Sequence, residues 1–473
     1  MSHQATSRHG TNRPSAEAVH VIVWLALFAG LVTFLGGSSR FDAVQAAALR
    51  PLAALFLIPA LYWYSKQKLD AARAPMVLLG LTALWTAIQL IPLPPSIWHL
   101  LPGRAAIVEL DALHGLEATW RPISFVPMRG WNALMGMIVP VSAGLLAVAL
   151  RPRLRTLFLV IVGIGVVDAL LGLLQIIGDP QGPLYFYTFT NGGAPVGIFA
   201  NENHSGVFSA ITLLVIARIG LSARKPDRAS VLNIALAIAF LLVTLAVLVS
   251  GSRAAFGLGA AAYAATALMA WLWLKRPELV GQTSGPAAMI VRYPRASIIV
   301  GLAVAAGLLF GLMQFERAPG VVDALNQNAF EDLRWRIGYI LGSMISTHWL
   351  FGTGFGSWDA VYQIYEPTTF MGPAYVNQAH NDWAQLIIEG GVPAVLLLLA
   401  LGRWIASRIR RLFAKRPSAL ARCVFWLSIL AIAAAASLVD YPLRTPIFQL
   451  VAIWLVIALA FDARDNKVSS LPN

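Results

Sequence analysis

Long apolar runs, each closed by polar or charged residues, recur along the chain at 19–37, 43–64, 75–93, 131–150, 154–178, 203–221, 231–250, 254–274, 296–315, 383–402, 423–439 and 445–461. Runs of this length suit a bilayer, whose hydrocarbon core of roughly 30 Å is crossed by a helix of about 20 residues. Lipid offers the backbone no hydrogen-bond partners, so each run predicts a helix. The chain as a whole predicts an all-α fold, a polytopic transmembrane helical bundle of about 12 spans.

Polar punctuation sets the orientation. With the N-terminus placed in the cytoplasm, the clusters Lys66, Lys68 and Arg73, then Arg151, Arg153 and Arg155, then Arg224, Lys225 and Arg228, and the run from Arg403 to Arg422 all fall inside. Every lysine is then inside and the basic residues outside are arginines, as the positive-inside rule requires. The predicted plan is a cytoplasmic tail at 1–18, spans 1–9 within 19–315, a large periplasmic loop at 316–382, spans 10–12 within 383–461 and a cytoplasmic tail at 462–473. Arg8 and Arg13 precede the first run and no small-residue cleavage site follows it, which predicts an uncleaved span.

Three outer segments exceed a simple turn. The stretch 94–130, with Trp98, Trp120 and several prolines, suits an ordered interfacial loop. The stretch 179–202 ends in Asn201-Glu202-Asn203. In 316–382, Leu333, Ile337, Ile340, Leu341 and Met344 fall at helical spacing, which predicts an amphipathic helix on or above the membrane. The two halves of the chain show no internal repeat, and only the second carries a large outer insertion.

Composition sharpens the class. Of 473 residues 58% are apolar and 12% charged, and the mean hydropathy is +0.70, far from a water-soluble domain. The net charge of +13 is spread between spans as orientation signals rather than gathered in a patch, so nucleic acid is not an expected partner. A lone Cys423 rules out an intramolecular disulfide and a cysteine zinc site, and reads as a small buried residue.

Candidate chemistry collects on the outer side. His380 stands before Asn381 and Asp382, both good N-caps, at the start of a span; Asn381, Asp382 or Gln385 would cap the helix or hold the ring. Its unperturbed pKa near 6.5 would let it accept a hydroxyl proton, although a lone histidine is commonly structural. Arg253 follows Ser250-Gly251-Ser252 between two spans, either as an interfacial anchor or as a forked ligand for phosphate oxygens. Arg334 and Arg336 are either solvated charges paired with Glu331 and Asp332 or, for one of them, a second anion clamp. Asp168 and Glu389 lie inside spans, where a carboxylate needs a partner. No Asp-x-Asp pair, phosphate loop, His-Glu-x-x-His or Gly-x-Ser-x-Gly is present, leaving a metal-independent and cofactor-free site built from arginines and a histidine.

Four stretches, in order, resemble the O-antigen ligase and O-antigen polymerase superfamily: Ala200-Asn201-Glu202-Asn203-His204-Ser205-Gly206, Val249-Ser250-Gly251-Ser252-Arg253, Arg334-Trp335-Arg336 continuing to Leu350-Phe351-Gly352-Thr353-Gly354-Phe355-Gly356, and Ala379-His380-Asn381-Asp382 to Gly391. Asp440-Tyr441-Pro442-Leu443-Arg444 is similar to the family's ending. The resemblance implies a glycosyltransferase-C-like membrane fold in the bacterial inner membrane. Its donor would be a glycan on undecaprenyl diphosphate and its acceptor lipid A-core or another glycan, met among membrane lipids. By motif, Arg253 and one of Arg334 or Arg336 would hold the diphosphate and His380 would act on the acceptor hydroxyl, with Asn201, Asn203, Asn381, Asp382, Glu389 and Arg444 in support. Ligase and repeat-unit polymerase share these motifs. A secondary transporter or glycan flippase is the reading from another class, and would show paired halves and charges along a path.

Overall fold

A computed structural model describes residues 16–222, 231–275, 329–370, 376–414 and 419–464, without the side chains of 16–18 and 329–336. Among the described residues the fold is helical, with a single isolated bridge between Leu93 and Arg121. Among the described residues eight helices are long and apolar enough to cross a membrane, and the shorter apolar helices Val19–Leu35, Arg73–Ile88 and Pro446–Asp462 add three. These eleven coincide with eleven of the runs read from the sequence; the run 296–315 lies outside the described residues. The chain is a multi-pass helical membrane protein.

In chain order, the helices that frame the molecule are α1 (Ala16–Leu35), α2 (Arg73–Ile88), α3 (Ile138–Leu150), α4 (Leu154–Ile177), α5 (Glu202–Gly220), α6 (Val231–Val249) and α7 (Arg253–Leu274). They are followed by α8 (Ala329–His348), α9 (Trp358–Tyr365), α10 (Asp382–Phe413), α11 (Leu420–Val439) and α12 (Pro446–Asp462). The main core joins α1, α3, α4, α5, α11 and α12 through residues such as Phe28, Leu146, Leu157, Phe208, Phe425 and Trp454, with Cys423 buried among them as a small apolar side chain. α5 is the most enclosed span, buried over 83% of its apolar window. It is a helix surrounded by helices rather than by lipid, and its polar residues therefore face protein.

A second, smaller cluster sits over one end of the bundle. There α8 buries Ile337, Ile340, Leu341 and Met344 against Trp358 and Tyr362 of α9 and Ala384 and Ile388 of α10, as the amphipathic spacing predicts. The segment 94–130 is ordered too: the Trp98 indole donates to the Pro122 carbonyl at 2.8 Å, and Arg121 forks onto Asp111.

One difference from the sequence reading matters for the site. α10 extends over 32 residues to Phe413, past the expected end of its run at 402, and it is broken at Gly391. Gly391 adopts φ 62°, ψ −163°, a conformation costly for any residue with a Cβ. About 48 Å of continuous helix would overshoot a bilayer core. The break makes the opening Asp382–Gly390 turns a separate short helix over the bundle, so Glu389 lies at a joint and not within a straight span.

Candidate functional site

The site is assembled from four chain segments at the end of the bundle beneath α8 and α9. The first is the loop 179–201, which folds back over α4. Its anchor is Asp168, wholly buried, which accepts the Ile198 N–H and the Ser205 hydroxyl, each at 2.9 Å. Gln175 adds a reciprocal pair with the backbone of Gly197, accepting at 2.7 Å and donating at 2.9 Å. Tyr187 accepts the Gly37 N–H at 2.6 Å, and burial pushes its hydroxyl up to about 12. Asp168 thus finds its partners in a backbone N–H of the loop and a hydroxyl of the neighbouring α5, and pairs with no arginine among the described residues.

The pinned loop delivers Asn201 as N-cap of α5, its side chain accepting the Asn203 N–H at 2.8 Å. One turn later His204 is buried, with Nε2 3.8 Å from Asp440 Oδ1. The second segment is Gln378 to Asp382. Gln385 holds it by accepting the Ala379 N–H at 2.9 Å and donating to Gln378 at 2.6 Å. His380 takes a left-handed φ of 48°, and Asn381 then caps α10 by accepting the Ala384 N–H at 3.0 Å. A non-glycine residue in that region must be held there by its surroundings. The His380 ring packs edge-on to Tyr441 with centroids 4.9 Å apart, and its Nδ1 is 3.4 Å from the same Asp440 Oδ1.

The third segment is Asp440 to Thr445, between α11 and α12. Asp440 is buried between the two histidine rings, and its Oδ1 also accepts the Tyr441 N–H at 3.0 Å. Four residues on, Arg444 joins two acids of α10: Nη1 donates to Glu389 Oε2 at 2.9 Å and Nε to Asp382 Oδ1 at 3.2 Å. Asp382 therefore neither caps the helix nor touches the His380 ring. It closes this ion-pair network and accepts the Ser437 hydroxyl at 3.1 Å. Glu389 Oε1 is filled by the backbone N–H groups of Gly356 and Trp358, each at 3.1 Å. The run Gly352-Thr353-Gly354-Phe355-Gly356, with φ of 74°, 95° and 84° at its glycines, is the cradle that aims those donors. A buried ion pair is tolerable only when its remaining lone pairs are satisfied, as here.

The fourth segment is Ser250 to Arg253. The Ser252 hydroxyl caps α7 by accepting the Ala255 N–H at 3.0 Å, which sets half-buried Arg253 at its first position. The opening turns of α5 and α7 touch, since Gly206 lies directly on Ala255 and Gly251 lies near the Glu202 carboxylate. Arg253 therefore stands beside the turn that carries His204. Arg334 and Arg336 lie on α8, which packs on α10, but their side chains fall outside the described residues.

Beside the loop 179–201, the start of α5 and Tyr441 opens a cavity of about 330 Å³ whose lining includes Arg40, Asn191, Asn201, His204, Asn377 and Tyr441. Arg40 forks onto Asp42 at 2.9 and 2.7 Å and stacks over Phe189 at 4.1 Å. Neutral amides, hydroxyls and aromatic faces beside a histidine, with an arginine at the first turn of the adjoining helix, suit a polar ligand that carries both hydroxyls and an anionic group.

Residues 237–399 match the family model described as Wzy_C, O-Antigen ligase. That stretch is similar to an O-antigen ligase domain. The match supports membership of the O-antigen ligase and polymerase superfamily, and that family implies glycosyltransferase-type activity with a lipid-linked glycan donor and a glycan acceptor in the membrane. No curated protein matches the chain. The matched stretch contains Arg253, Arg334, Arg336, His380 and Glu389, whereas His204, Asp440 and Arg444 lie outside it and the last two meet it in space.

Sequence reasoning gave no chemical part to Asp440, His204, Tyr441 or Arg40. For Asp440 a signal existed: a carboxylate at the outer end of a span, on the predicted side of His380, needs a partner. Nothing in the spacing indicated that both histidines would converge on it.

Proposed function

We propose that the protein is an O-antigen ligase-like glycosyltransferase that moves a glycan from undecaprenyl diphosphate to an acceptor hydroxyl of lipid A-core or of another glycan. In this reading it sits in the bacterial inner membrane with both termini cytoplasmic, the loop 316–382 and the site periplasmic, and it works without a metal and with inversion. The observation that carries the proposal is the His380–Asp440–His204 group, whose His204 lines a polar cavity with Tyr441 and Asn201, with Arg253 of the matched stretch at the neighbouring helix start.

The chemistry follows from the positions. Asp440 faces Nδ1 of His380, which favours the tautomer protonated there and leaves Nε2 as the acceptor nitrogen. At 3.4 Å the contact is longer than a hydrogen bond and would tighten when the acceptor binds. The acceptor oxygen gives its proton to Nε2 as it bonds to the anomeric carbon. The bond from that carbon to the diphosphate oxygen breaks, its electron pair leaves with the diphosphate, and the configuration inverts. Arg253, with Arg334 or Arg336, holds the charge that develops. Diphosphate leaves readily, so the protein's contribution is chiefly placement and charge stabilisation.

In cells, His380→Ala or Arg253→Ala should leave the protein inserted while lipid-linked glycan accumulates; unchanged glycan product would remove the residue from the site. Long chains left on the carrier beside bare core identify the ligase reaction. Single capped repeats identify a polymerase.

A further inference from the structure

At the end of the bundle away from His380, α10 and α12 finish beside the Asp70 turn around a cavity of about 640 Å³. Arg408, Arg411 and Arg464 line it with Asp70 and the helix-terminal Ala414 and Ala463. None of these arginines forms an ion pair among the described residues, and Arg408 Nε is enclosed without a hydrogen-bond partner. The neighbouring arginines behave differently: Arg422 and Arg218 both reach Asp462, at 3.1 and 3.6 Å. Outside the spans, Arg151 is pushed below its usual range, first by burial and then by the charge of Arg464.

The simplest account is that arginines at helix C-termini answer the helix dipoles. Two helix ends supply about one negative charge in total and Asp70 one more, roughly two against three arginines. At least one positive charge is left over in a cleft that is partly shielded from water. Every element lining the cavity is the end of an apolar helix or a connection between two of them, so the cavity lies at the depth of lipid headgroups.

We propose that this cavity binds a phosphate group, and specifically the phosphodiester of an anionic phospholipid, at a site separate from glycan transfer. Arg408 and Arg464 would fork the phosphate oxygens, while Asp70 would stand on the glycerol side as an acceptor for headgroup hydroxyls.

The test is lipid retention on the full-length protein. It would be placed in nanodiscs of phosphatidylcholine doped with phosphatidylglycerol, and the bound lipid would be counted by native mass spectrometry after release. Wild type should keep phosphatidylglycerol in preference to phosphatidylcholine. Arg464→Gln, at an exposed helix end and safe for folding, should weaken that preference about fivefold, and adding Arg408→Gln about fivefold again. Arg403→Gln, exposed on the same helix but off the cavity, should change nothing. An equal loss from Arg403→Gln would mean that a general basic surface, not this cavity, attracts the lipid. No preference in wild type would overturn the site, and displacement of phosphatidylglycerol by inorganic phosphate at low millimolar concentration would reassign it to a free anion.

Discussion

Glu389 and Asp440 are both fully buried carboxylates at the same end of the bundle, and they are built in opposite ways. Glu389 has every direction filled by a fixed donor: two backbone N–H groups from the glycine cradle, the Gln385 amide and the Arg444 guanidinium. Asp440 accepts the Tyr441 N–H at 3.0 Å and also faces two imidazoles at 3.4 and 3.8 Å, distances too long for hydrogen bonds. A saturated carboxylate holds a fold together. One set against titratable rings at loose distance can respond when a substrate arrives. Arg444 belongs with the first kind, since both of its contacts are spent on holding α10.

The contrast can be broken by substitution. Glu389→Ala takes one of its two acid partners from half-buried Arg444 and leaves the Gly356 and Trp358 N–H groups of the cradle without their acceptor, which should destabilise the protein by about 3–5 kcal/mol. Thermal melting in detergent and the yield of folded protein would report this. Asp440→Asn keeps shape and burial but loses the charge that sets His380. It should melt within a few degrees of wild type while transfer falls on the order of 10²–10³-fold. If the two variants lost folding alike, both carboxylates would be structural. Asp168→Ala, which abandons the Ile198 N–H and Ser205 hydroxyl, should cost about 1–3 kcal/mol and loosen the loop 179–201, visible as faster hydrogen exchange there.

The smallest effect is one of pH. Burial, aided by the nearby Arg104 charge, holds His348 down to about 4, so it stays neutral in the fold while the unfolded chain takes up a proton below about 6.5. Its contribution to stability is complete above about pH 6.5 and is lost as pH falls through about 4. Melting temperature should drop across that window, and less so in His348→Gln.

The spans were legible because lipid leaves a helix as the only economical answer to an apolar run, and the α8 stripe was legible because Ile337, Ile340, Leu341 and Met344 keep one face. The join at Gly391 was legible as a weakening but not as a break, since a glycine pair before Pro393 tells nothing of the φ it adopts. His380, Arg253 and Glu389 could be named from their chemistry and their place beside spans. Their partners could not: Asp440 lies 60 residues from His380, and His204 lies on a helix before the matched domain, so only tertiary packing unites them. Arg40 escaped notice because a surface arginine two residues from an aspartate reads as an ordinary exposed pair.

The proposed transfer depends on His380 as the group that handles the acceptor hydroxyl. Its most direct test is single-turnover transfer by the purified protein from an undecaprenyl-diphosphate glycan to lipid A-core, comparing wild type with His380→Ala at matched donor binding. Transfer should fall on the order of 10²–10³-fold with donor affinity unchanged. Transfer at the wild-type rate would contradict the assignment.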